Sequence, residues 1–74
     1  MGQTPAHKMF PGDMLTREHT LLMFSDANSA IIVSVERGRD DAWITWLITL
    51  SSGHVRIRRF HHSHLWLFDV MENQ

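Results

Sequence analysis

The stretch Ala42–Phe60, AWITWLITLSSGHVRIRRF, sets the fold class. Two runs rich in β-branched and aromatic residues flank Ser51-Ser52-Gly53, and such residues suit a pleated, half-buried strand better than a helix. Side chains alternate across a strand, so a period of two separates a core set from a solvent set. In the first run Ala42, Ile44, Trp46, Ile48 and Leu50 share one face, while Trp43, Thr45, Leu47 and Thr49 share the other. In the second, Val55 and Ile57 are expected inside and His54, Arg56 and Arg58 outside. The pattern predicts a β-hairpin whose outer face sets Trp43 beside Arg56 and Arg58.

The rest of the chain reads as short strands separated by turns. Ala30–Glu36 is an expected strand with Ile31, Val33 and Val35 inward, and Arg37–Asp41 is a charged turn. Phe10-Pro11-Gly12-Asp13 is a turn, since proline presets φ and glycine accepts positive φ. Met14–Arg17 and Thr20–Phe24 are expected as extended pieces, followed by the turn formers Ser25–Ser29. His61–Leu65 suits a single helical turn, and Trp66–Val70 a last strand. No segment sustains a helical period over the roughly 10–12 residues a helix needs. The expected organisation is a flexible N-terminal arm over residues 1–10, a barrel over 11–70 and a C-terminal tail over 71–74. Its core would hold Ile31, Val33, Val35, Ile44, Trp46, Ile48, Val55, Ile57, Leu67 and Val70.

Composition narrows the class further. A chain of 74 residues makes one small domain, burying only about 60–65% of the surface its unfolded form exposes. The absence of cysteine removes disulfides and thiolate metal sites, leaving stability to the apolar core or a partner. A hydrophobic fraction of 43% with three Trp and four Phe suits a packed core and not a disordered chain. The net charge of −1 weighs against general nucleic-acid binding, which needs a basic field. No run approaches the roughly 20 apolar residues of a membrane span. MGQTPAHKMFPGD has no apolar signal centre, and Gly2 is not followed by a myristoylation pattern. A cytoplasmic location is expected.

Five short strands at tight spacing predict an all-β fold in a small closed or half-closed barrel. The order resembles an SH3-like small barrel of the kind encoded by tailed bacteriophages. Pro11-Gly12-Asp13 would open its first strand, Ile31–Val35 and Ala42–Leu50 would be the second and third, and Gly53-His54-Val55-Arg56 would begin the fourth. His64-Leu65-Trp66-Leu67-Phe68 would be a one-turn crossover into the fifth. The resemblance implies a five-stranded SH3-like barrel with a single helical turn before the last strand, and for a phage-encoded protein a place in the host cytoplasm. It implies no reaction. The acidic, aromatic-rich loop with which signalling SH3 domains take proline-rich peptides has no counterpart here.

Three groups of residues carry possible chemistry. His61, His62 and His64, with His54 nearby, hold enough imidazole for a zinc site, but a tetrahedral site needs four ligands. With no cysteine, only Asp69 or His54 could complete the set, so a solvated turn and no metal or other cofactor are expected. Arg56, Arg58 and Arg59, with Arg37 and Arg39, hold five of the seven Lys and Arg residues. Cross-strand pairing with Glu36 is their plain structural role. Beside an exposed aromatic, arginines equip a protein-binding hot spot or a phosphate-and-base site. Trp43 is that aromatic, with Leu47 on its face. The serines lie in no nucleophile-elbow context, and no glycine-rich phosphate cradle exists, so catalysis is not expected.

The resulting expectation is a non-catalytic protein-interaction module that binds and modulates a host or phage protein, anchored on Trp43, Leu47, Arg56 and Arg58. One alternative is a nucleic-acid-binding barrel using Arg56, Arg58, Arg59 and Trp43, and another is a virion structural component. A homodimer through the Trp43–Leu47 face, or through an edge near Thr20–Phe24, is a further expectation.

Overall fold

The computed structural model describes residues 3–71. The two expected strands pair as a hairpin, with β3 at Asp41–Leu50 and β4 at Val55–Ser63. Ahead of them lie β1 (Gln3–Pro5), a 3-10 turn at Ala6–Lys8, helix α1 (Arg17–Met23) and β2 (Ala27–Arg37); β5 (Leu67–Asp69) follows. The fold is mostly strand. β2, β3 and β4 form one antiparallel sheet with β3 central, and β1 pairs with β5 in a second.

The segment before α1 joins the two sheets. Met14 bridges Ile31 of β2, and Leu15 bridges Val70 beyond β5. Backbone bonds from Leu15 to Ala30, Ile32 to Asp13, Thr16 to Asp69 and Met71 to Met14 fix that seam. The strands therefore run β1, β5, the Asp13–Thr16 segment, β2, β3, β4. Among the described residues nothing pairs with the far side of β4. The expected five-stranded barrel is thus not closed, and β4 is an open edge among the described residues.

The core gathers Met9, Leu15, Ala30, Ile32, Ile44, Trp46, Ile48 and Phe68, all essentially inaccessible. Ile44, Trp46 and Ile48 face inward as the period of two predicts. Val35 and Val70 also pack against this core as expected, but at other positions the inward face differs from expectation. In β2 the register shifts between Ile32 and Ser34, a bulge that inverts the alternation. Ile32 and Ala30 are therefore buried, while Ile31 is half-buried and Val33 is 48% exposed. In β5, Phe68 takes the inward place expected of Leu67.

β4 is inverted as a whole. Leu50 N–H donates to His54 O and Gly53 N–H to Leu50 O, which closes a three-residue turn with Gly53 at φ +94°. Residues opposite one another in an antiparallel pair point to the same side. Thr49 meets Val55, Ile48 meets Arg56, Leu47 meets Ile57 and Trp46 meets Arg58. The inner face of β4 thus carries Arg56, Arg58, Phe60 and His62. Val55 and Ile57, expected in the core, are 55% and 59% exposed on the outer face.

The helical content is also relocated. His61–Ser63 end β4 as strand, and a β-turn closed by Trp66 N–H to Ser63 O replaces the expected helical turn. Thr20–Phe24, expected extended, lies mostly in α1. Thr16 Oγ1 caps that helix by accepting from His19 N–H, satisfying an amide the first turn leaves without a partner. The buried side of α1 is polar, made by His19 and Thr20. Thr20 Oγ1 donates to Thr16 O, and His19 Nδ1 accepts from Asp69 N–H.

The segment expected as a free arm is built into the fold from Gln3 onward. Gln3–Pro5 pair with Leu67–Asp69, and Ala6 and Met9 are fully buried. Arg37 ties this segment down by donating to His7 O and Met9 O, with its guanidinium 4.8 Å from the Phe10 ring centroid. Residues 1, 2 and 72–74, the ends of the expected arm and tail, lie outside the described residues.

Candidate functional site at the open β4 edge

The four residues expected to form one surface lie on two. Trp43 and Leu47 point to the outer face of the sheet, and Arg56 and Arg58 to the inner. On the outer face Arg59, not Arg58, is the partner of Trp43. Its guanidinium sits 4.2 Å from the indole centroid and donates to the Glu36 carboxylate. His61 lies beside Trp43 with ring centroids 5.2 Å apart, and its Nε2 pairs with Asp41 at 2.7 Å. Leu47 is half-buried between Ile31 and Ile57. The outer face is therefore a neutralised ladder in which each charge already has a partner, the role expected for Glu36 against an arginine.

The histidines separate as well. His61 is outward, His62 is inward beneath Trp46 and Phe68, and His64 lies 3.8 Å from Asp40 in the turn. Among the described residues, no three His, Asp or Glu side chains are grouped to hold a metal ion.

The inner face of β4 differs from the outer. Arg56 and Arg58 line a cleft of about 280 Å³ with Phe60, Met23 and Phe24, and Asp26 is the carboxylate on its wall. Asp26 does not come within 4 Å of either guanidinium, and among the described residues neither has an ion-pair partner. A second cleft of about 240 Å³, lined by Leu22, Met23, Phe24, Phe60, His62 and Trp66, continues the groove along β4. Its wall is apolar and open: Leu22 is 83% exposed, and Trp66 half-exposed. α1 makes the far bank of this groove because its buried side is polar and its leucines face away from the core. Reading the chain for apolar periodicity missed that bank. The Thr16 cap with Glu18 in the first turn was the signal that marks it.

The backbone of β4 completes the site. The Leu50–His54 bond puts the even-numbered residues of β4 in the hydrogen-bonded pairs with β3. Such pairs alternate along an antiparallel ladder, so the N–H and C=O groups of Val55, Ile57, Arg59 and His61 point away from the sheet. Among the described residues these groups have no backbone partner. Arg58 Nη1 covers one of the carbonyls, donating to Ile57 O at 3.1 Å. Charged side chains on an edge are also a common device against edge-to-edge aggregation.

No family model, curated protein or solved structure matches the chain. No helix among the described residues is long and apolar enough to cross a membrane.

Proposed function

We propose that this chain is a non-catalytic protein-interaction module that takes an extended segment of a partner protein onto the open edge of β4. The observation that carries the reading is the edge itself: among the described residues, the outward N–H and C=O groups of Val55, Ile57, Arg59 and His61 have no backbone partner and lie beside a continuous groove. Strand addition uses such groups for affinity and the flanking side-chain clefts for specificity. In this reading the fold is an SH3-like barrel left open at β4, of the kind tailed phages encode, and the partner is a host or phage protein. The anchor moves from the expected Trp43–Leu47 face to Arg56, Arg58 and Phe60, because the outer face is already satisfied by its own pairs.

Selection of random extended peptides on the purified chain tests this. Binders should raise amide-exchange protection at Val55, Ile57, Arg59 and His61. They should bind Ile57→Pro weakly, because proline deletes an outward N–H that the β3–β4 ladder does not use. Protection mapped elsewhere, or binding indifferent to Ile57→Pro, would contradict the reading.

A further inference from the structure

Resting on that reading, we propose that the strand β4 accepts alternates acidic and apolar residues, with carboxylates against Arg56 and Arg58. No carboxylate side chain occurs between Val55 and Phe68, and both guanidiniums lie on the groove without an ion-pair partner among the described residues. Arg37 and Arg59, by contrast, are committed to the N-terminal segment and to Glu36. A carboxylate arriving opposite Arg58 draws its guanidinium off Ile57 O and so frees that carbonyl for the incoming backbone.

The same charges disfavour a second copy as the occupant. Antiparallel self-pairing about a two-fold centred on Ile57 sets Arg56 opposite Arg58 of the other copy. Centring on Arg58 or Arg59 sets that residue against itself. Like charges directly opposite in a ladder are destabilising, whereas an acidic strand meets the edge with complementary charge.

Register specifies the ligand. An antiparallel addition continues the sheet, and side chains opposite one another share a face. Read from its N-terminus, the ligand places an aromatic opposite Phe60, above the apolar cleft of Leu22 and Trp66. A polar residue, a carboxylate, an aliphatic, a second carboxylate and a second aliphatic then fall opposite Arg59, Arg58, Ile57, Arg56 and Val55. The capped peptide Phe-Thr-Glu-Ile-Glu-Val satisfies this order.

The experiment titrates the full chain with this peptide, with its forms bearing Gln or Lys in place of both Glu, and with a short oligothymidylate. The Glu form should bind at least about tenfold more tightly than the Gln form, with the difference shrinking as salt rises. The Lys form and the oligonucleotide should not bind. The double variant Arg56→Gln, Arg58→Gln should erase the Glu-over-Gln preference while still taking the Gln peptide. Equal binding of all three peptides, lost in Ile57→Pro, would overturn the acidic preference and leave the edge reading standing. No binding by any peptide would overturn both. Preference for the oligonucleotide, or a concentration-dependent dimer dispersed by Ile57→Pro, would overturn the proposed ligand.

Discussion

The indole Nε1 of Trp46 donates to Nε2 of His62 across 3.3 Å, joining β3 to β4 inside the core. His62 is 9% exposed and stands edge-on to Phe68, with ring centroids 4.9 Å apart. An accepting Nε2 requires the neutral ring with its proton on Nδ1. Burial, with a smaller push from the neighbouring charge of His61, lowers the His62 pKa from 6.5 to about 4.

That shift makes stability depend on pH in a defined window. Well above pH 6.5 the ring is neutral in both folded and unfolded chains, and it costs nothing. Between about 6.5 and 4 the unfolded chain takes up a proton that the folded chain refuses, so stability falls as pH falls. The limiting loss from this one group is about 3 kcal/mol. Denaturant melts from pH 7.5 to 4 should show the decline, and His62→Leu should flatten this contribution. The same variant should cost about 1–2 kcal/mol at pH 7.5, because it strands the buried indole N–H. An unchanged pH slope in His62→Leu would refute the assignment.

The histidine-rich segment should be indifferent to metal. His61, His62 and His64 point outward, inward and into the turn, and two of them sit near Asp41 and Asp40. Where a structural metal is bound, its binding free energy becomes folding free energy. Excess EDTA at pH 7.5 should therefore leave Tm within about 1 °C of its starting value. A large drop, restored by stoichiometric zinc, would show that these side chains rearrange around an ion.

Gly53 sets the phase of the hairpin. At φ +94° it occupies a region that a Cβ disfavours, although a Cβ there would meet nothing within 4 Å. The cost of Gly53→Ala is therefore conformational, about 1 kcal/mol, and Gly53→Asn should cost less, since asparagine tolerates this region. Chemical denaturation of the two variants checks the order. Equal stability of all three proteins would mean that the turn relaxes to another form.

The strands of the hairpin were legible because alternation reports a strand directly; the face of β4 was not. A three-residue turn brings Leu50 opposite His54, and one residue more or fewer would swap every side chain of β4 across the sheet. Apolar Val55 and Ile57 suggest the core, but the turn sends Arg56 and Arg58 to the inner face instead, where they line an open groove. The inward face of β2 was hidden for a related reason, since the bulge at Val33 interrupts the period. α1 was hidden because its buried side is His19 and Thr20, which carry no apolar signal. Of the candidate residues, Arg56 and Arg58 remain in the proposed site, while Trp43 and Leu47 belong to the opposite face. Phe60 joins Arg56 and Arg58 through the same register of β4, and Leu22 and Trp66 enter the groove only through contacts between separate elements.

The assignment of faces has a direct energetic test. Trp43 lies under the Arg59 guanidinium, whereas Arg58 is on the other side of the sheet, paired with Trp46. A double-mutant cycle isolates the interaction between two side chains when each substitution removes only that contact. Trp43→Ala with Arg59→Gln should couple by about 0.5–1 kcal/mol, the range for an exposed cation–π contact. Because Glu36 also holds Arg59, the cycle should be repeated in a Glu36→Gln background to remove the ion pair from both arms. Trp43→Ala with Arg58→Gln should couple by no more than about 0.3 kcal/mol, the error of additivity for residues that share no contact. A larger coupling to Arg58 than to Arg59 would place the hairpin one residue out of register. It would return Arg56 and Arg58 to the outer face, and the groove along β4 would then lose the charges on which the acidic ligand depends.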